Sequence, residues 1–174
     1  SGSKGNSQAY RFSEFVQYRA KLGKDGRTIT VDGRYSMRRT PESWTNSYST
    51  LNTIVDESGN LVPLRRNISS FAPQKEDDIS ANVTYTEPIA KYVQLSLQYR
   101  FDFEDQWLDK LAYVTNEDYD IAGLTPDDEL SSTTDSRYIE HKVGPGLRFA
   151  KERNSVVANV FYQHSTLKGL VDEE

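Results

Sequence analysis

Cysteine is missing from all 174 residues, which excludes disulfides and thiol chemistry and leaves the redox compartment open. Histidine is nearly missing: His141 and His164 are the only two. Zinc generally takes three or four ligands, so this pair would have to recruit carboxylates; both are expected on strand surfaces instead. No run approaches ~18 consecutive apolar residues, so no transmembrane helix is expected. A membrane is not excluded by that, because a β-barrel crosses one with segments of only about 10 alternating residues.

Clustered basic charge is lacking too. The formal net charge is -5, and Arg38 with Arg39 and Arg65 with Arg66 are only pairs, so nucleic acid is not an expected partner. There is no Gly-rich phosphate loop, nucleophile elbow or HExxH; "VGPGLR" has neither the lysine nor the spacing of a phosphate-binding loop. Asp127 and Asp128 are adjacent and would point apart on an extended chain, unlike a glycosidase pair. The expectation is a protein that is not an enzyme and needs no cofactor.

Apolar residues are scarce as well. They make up 36% of the chain, against roughly 45 to 50% in typical globular domains, and the mean hydropathy is -0.73. Yet aromatics reach 11%, with eleven tyrosines, and the apolar residues recur at every second position. Low hydropathy without periodicity would signal disorder; with it, the chain suits a wall that is wet on one face and apolar on the other.

Six strands follow from period two, since successive side chains of extended chain point to opposite faces. The first, from Tyr10 to Leu22, sets Tyr10, Phe12, Val16, Tyr18 and Ala20 against Arg11, Ser13, Gln17 and Arg19, and breaks at "GKDG", a strong hairpin signal. The second, "GRTITVDGRYSMR", sets Ile29, Val31, Gly33, Tyr35 and Met37 against Thr30, Asp32, Arg34, Ser36 and Arg38. It runs about twice the usual 5 to 6 residues. Ile79 to Thr86 is the third, stopped by Pro88, which has no N–H to donate. The fourth is the cleanest: Val93, Leu95, Leu97, Tyr99, Phe101 and Phe103 against Gln94, Ser96, Gln98, Arg100 and Asp102. The fifth, Tyr138 to Phe149, carries Val143, Leu147 and Phe149 on its apolar face, and the sixth runs from Val156 to about His164.

Short turns near residues 24–26, 87–91 and 150–154 thus alternate with long loops, about 46–78 and 104–137. Residues 1–7, "SGSKGNS", look like a linker or cloning scar, 8–170 like the barrel segment and 171–174 like a tail. The strands leaving the three turns each carry tyrosine at the ninth position: Tyr35, Tyr99 and Tyr162. Such a residue lies about 27 Å along the strand, or roughly 20 Å along the normal of a membrane, where an aromatic girdle would edge an apolar band about 25 Å tall.

The wording of the chain narrows this pattern. "GRTITVDGRYS", "TYTEPIAKYVQLSLQYRFD" and "DSRYIEHKVGPGLRFAKERNSVVANVFYQHS" resemble the barrel portion of TonB-dependent-receptor-like outer-membrane proteins of Bacteroidota, and the likeness covers most of residues 10–170. The resemblance implies an all-β chain of long antiparallel amphipathic strands in the Gram-negative outer membrane. It also implies a parent barrel of about two dozen strands, filled by a plug and energised by the TonB complex, that takes up a bulky nutrient. Six strands fall short of the eight of the smallest such barrels, and plug and TonB-contacting segments are not among them. The implied partners are outer-membrane lipid, the remaining barrel strands and plug, and the TonB complex.

In that arrangement Ile29, Val31, Tyr35, Val93, Leu95, Leu97, Tyr99, Val143, Leu147 and Phe149 face lipid. Trp44, Tyr48, Trp107, Tyr113 and Tyr119, in or beside the long loops, are candidates to stack on a ligand. Asp118, Asp120, Asp127 and Asp128 of the acidic loop offer the hard oxygens that calcium takes, without EF-hand spacing; a solvated loop explains them too. The alternative architecture is a soluble antiparallel barrel or sandwich that binds a small ligand, with the same apolar face turned inward. Alternation alone does not say which face is inside.

Overall fold

The computed structural model describes residues 1–23, 25–55 and 59–172. The strands are β1 (Gly2–Lys21), β2 (Thr28–Val55), β3 (Leu61–Phe71), β4 (Gln74–Ala90), β5 (Val93–Thr115), β6 (Ser132–Lys151), β7 (Asn154–Asn159) and β8 (Tyr162–Asp172), with no helix among the described residues. All pairings are antiparallel and form one sheet. β3 and β4 both pair with β2 and β5, while β7 and β8 both pair with β6, so each couple is one long strand with an interruption. The chain is therefore an all-β meander of six long strands, β1 at one edge and β7/β8 at the other.

Proline explains both interruptions. β2 bulges at Thr40 and Pro41: the pairing passes from Tyr10↔Arg39 to Gln8↔Glu42 on one side, and from Thr40↔Gln74 to Trp44↔Phe71 on the other. Both neighbours lose a step at the same point, so the extra residue belongs to β2. Pro73 stands beside it on the neighbouring strand, and neither proline can donate to a ladder. The bulge also reverses the phase of β2. Below it the odd-numbered residues share the apolar face; above it Trp44 and Tyr48 do.

At the second interruption Pro145 accepts a bond from Val160 N (3.1 Å) but has no N–H to return, and the ladder breaks between β7 and β8. Gly144 lets the chains close up there, since a Cβ on it would lie 2.0 Å from the Val160 carbonyl oxygen.

Gly26 takes φ 83° in the turn before β2, and Glu152, at φ 54°, with Arg153 links β6 to β7. Pro88 does not stop its strand as expected: β4 continues through it, paired with Gln94, to Ala90, because the β2 ladder has already ended at Thr86 and no N–H is needed on that side, so Lys91 and Tyr92 make the turn to β5. Lys24 and residues 173–174 of the expected tail lie outside the described residues. Three further boundaries differ from expectation. Residues 2–7 are the start of β1, with Gly2 opposite Tyr48. The expected loop 46–78 is mostly strand, because β2 continues to Val55 and β3 begins at Leu61. The expected loop 104–137 shrinks to 116–131. Strand persists in these stretches although alternation does not, because the ladder needs only backbone groups and alternation needs two different solvents.

Candidate functional site

The two faces of the sheet are chemically distinct below the bulge. Register places Tyr18, Val31, Val83, Tyr99, Val143 and Tyr162 in one row across all six strands, with Ile29, Tyr85, Leu97 and Pro145 in the next. Nothing covers this face. Ala112 is the one fully buried apolar residue among those described, whereas Leu97 is 51% exposed and Leu95, Tyr99, Val143, Leu147 and Phe149 are exposed as well. All ten residues expected to face lipid lie on it.

The opposite face is polar and curls inward. A hollow of about 480 Å³ is lined by Phe15, Asp32, Asn82, Arg100, Lys142 and Phe161, one residue from each strand of the meander, so the sheet wraps around its polar side. A second hollow of about 660 Å³ adjoins it around Arg11, Asp78, Glu104 and Glu140. Several of the charges here are bonded to their neighbours. Gln17 Nε2 and Asn82 Nδ2 donate to Asp32 (2.6 and 3.2 Å), Arg100 makes a two-pronged contact with Asp102 (2.7 and 2.9 Å), and Glu140 accepts from Tyr138 and Gln163. Such a face can hold water or polar protein against it. Among the described residues no nucleophile, base and orienting group converge on it. Phe15 and Phe161 are out of phase with the apolar rows and rest against Arg34 and Lys142.

The apolar rows end abruptly at both ends, on residues that alternation does not single out. Toward the loops the face ends on Arg39 of β2, Asp77 of β4, Asp105 of β5, Arg137 of β6 and His164 of β8; within it stand two polar residues, His141 of β6 opposite Phe101 and Glu14 of the edge strand β1 opposite Tyr35. Arg39 bonds Asp77 (2.5 Å), Arg137 bonds Asp105 (3.0 Å), and Tyr35 donates its hydroxyl to Asp77 (2.9 Å). Toward the turns the limits are Arg27, Glu87, Lys91, Lys151 and Asn154. Arg27 meets Glu87 in two bonds (2.6 and 2.9 Å), which raise the pKa of its guanidinium. The sequence signal for these limits is a charge arriving in phase, as when Phe103 is followed by Asp105.

The limits run obliquely across the strands. His164 pairs through His141, Phe101 and Ala81 with Gly33, far short of Arg39. At the other end Glu87 pairs through Leu95 with Leu147, short of Lys151. Both limits slide the same way, by about five residues over the four steps from β2 to the last strand. Strands inclined ~40° produce that displacement, since each ~4.8 Å step sideways moves a level line ~4 Å along the strand. Tyr35 lies four residue pairs nearer the loops than Tyr99, which is level with Tyr162, in the direction of the same slope.

The aromatic ligand candidates do not converge. Trp44, Tyr48, Trp107 and Tyr113 are strand residues on the outward face beyond the charged limit, and only Tyr119, at φ 58°, is in the loop. Trp44 packs on Phe71 (4.8 Å), Lys75 covers Trp107 (4.7 Å) and Arg65 covers Tyr48 (5.0 Å). The acidic candidates serve the loop itself. Asn116 accepts from the Asp118 and Asp120 amides, Asp120 accepts from Ala122 N, and Asp127 accepts from Leu130 N and meets Arg66 at 3.5 Å. Among the described residues no three His, Cys, Asp or Glu side chains are grouped to hold a metal, Asp128 included. His141 and His164 face each other across β6 and β8, with Tyr99 Oη 2.9 Å from His141 Nδ1. No protein-family model matches the chain, and no curated protein matches it either.

Proposed function

We propose that this chain is a segment of the wall of a transmembrane β-barrel, the outward face meeting lipid and the inward face meeting water or a plug. The observation that carries this reading is the bounded, sloping apolar face. From Glu87 to Asp77 β4 rises ~33 Å at ~3.3 Å per residue, which is ~25 Å along a normal inclined about 40° to it, the height of an outer-membrane barrel's apolar band. A soluble barrel or sandwich needs its apolar face inside; here the polar face is the one the sheet wraps around. The likeness of "GRTITVDGRYS" and "TYTEPIAKY" to TonB-dependent receptors of Bacteroidota extends the proposal: the parent barrel imports a bulky nutrient, with energy from the TonB complex.

Far-UV circular dichroism with light scattering, in buffer and in detergent micelles, tests the wall. β-Structure and monodispersity only with detergent are expected. A chain that is folded and monomeric in plain buffer has found a core for its apolar face and overturns the proposal. Import is tested separately, by uptake into cells with and without an intact TonB system.

A further inference from the structure

We infer that the rim around Tyr92 is a headgroup site for an anionic phospholipid, an inference that rests on the wall reading above. Most cations at the limits of the apolar face are neutralised by a carboxylate: Arg39 by Asp77, Arg137 by Asp105 and Arg27 by Glu87. Lys91 and Lys151 are not. They come from the two neighbouring short turns, and among the described residues no carboxylate forms an ion pair with either. Both ammonium groups instead sit over the one ring of Tyr92, 5.3 and 5.9 Å from its centroid.

The backbone holds them there. Tyr92 accepts a bond from Ala150 N (2.8 Å), which ties the β4–β5 turn to the end of β6, and the Phe149 ring meets Tyr92 edge-on at 6.5 Å. Directly inside this rim the apolar face continues through Phe149, Val93 and Val156. A phosphodiester seated on the two ammonium groups accepts hydrogen bonds from both and lays its acyl chains along that surface. Two ammonium groups held at one ring repel each other, and an anion bound to both relieves that repulsion. A headgroup carrying its own ammonium is repelled by the pair, so the site selects phosphatidylglycerol over phosphatidylcholine.

The test uses the purified protein reconstituted in phosphatidylcholine bilayers and electron spin resonance of spin-labelled phosphatidylglycerol or phosphatidylcholine. The motionally restricted fraction should favour phosphatidylglycerol by roughly two- to five-fold, the upper value being about 1 kcal/mol, the effect of one lysine near an anionic surface. Lys91→Gln with Lys151→Gln should bring the ratio near one, and Lys91→Arg with Lys151→Arg should preserve it. Arg153→Gln, on the same turn but away from the ring, should leave it unchanged. Equal restriction of both lipids by the unaltered protein, or a preference that survives the double glutamine change, overturns the headgroup site alone. No restricted component with either lipid overturns the wall reading, and this site with it.

Discussion

The sheet below the Thr40–Pro41 bulge and the sheet above it use the same ladder and different chemistry. Below, the strands share one largely apolar face, interrupted by Glu14 on β1 and His141 on β6, and large side chains such as Leu97 and Val156 are left uncovered. Above, the buried residues are small: Ala112 is fully buried, and the polar Asn67 and Ser69 are 7% and 3% exposed. The two polar ones are held by side-chain bonds, Ser69 Oγ to Asn46 Oδ1 (2.8 Å) and Asn67 Nδ2 to the Asn116 carbonyl (3.2 Å), while the 116–131 loop folds back through Asp127 N to Ala112 O (2.7 Å). The lower half is organised by two chemically unlike faces, the upper half by local hydrogen bonds.

That contrast sets the order of mutational effects, and the largest belong to the lower half. Leu97→Arg places a charge near the middle of the apolar face and should cost about 2 to 4 kcal/mol in a bilayer, read from denaturant unfolding of the reconstituted protein. Gln98→Arg, its neighbour on the polar face, should be tolerated. Equal costs at the two positions would erase the difference between the faces. Gly144→Val acts through backbone contact instead: its Cβ would lie only 2.0 Å from Val160 O, so the β7/β8 break must shift, costing about 1 to 3 kcal/mol. Gly33→Ala, with nothing within 4 Å, supplies the control and should be near neutral.

Intermediate effects fall at the boundary and above it. Trp44→Ala removes the ring contact with Phe71, and the pair should be worth about 0.5 to 1.5 kcal/mol beyond lost area in a double-mutant cycle with Phe71→Ala. The Arg39–Asp77 pair is roughly one-third exposed on each side. A cycle on it should return only 0.2 to about 1 kcal/mol, because water screens it.

The same contrast explains what the sequence could reveal. Six strands, their order in hairpins and their apolar faces were legible because apolar and polar residues alternate from Thr28 to Met37 and from Val93 to Phe103. The extensions of β2 to Val55 and of β5 to Thr115 were not, since a strand wet on both faces has no reason to alternate. Trp44 and Tyr48 read as loop aromatics for that reason, and the bulge then carried them to the outward face, which no local spacing announces. Asp77, Asp105 and Arg137 were visible as charges; that they bound one surface became clear only once the register lined them up.

The smallest effect makes the sharpest use of this difference. Thr50 is exposed on the outward face above the bulge, opposite Arg65, so it shares a face with Leu97 but not a solvent. Thr50→Glu should change stability by less than about 0.5 kcal/mol, as surface substitutions away from special features do, and the facing arginine removes like-charge repulsion as a cause. Thr50→Leu should be equally silent, because water lies on both sides there. If Thr50→Glu instead costs as much as a charge at Leu97, measured by the same unfolding in bilayers, the apolar solvent reaches past Asp77 and the charged row is not its limit. If both Thr50 changes are silent while Leu97→Arg is not, one continuous face of one sheet meets two solvents, and the row from Arg39 to Arg137 is where they change over.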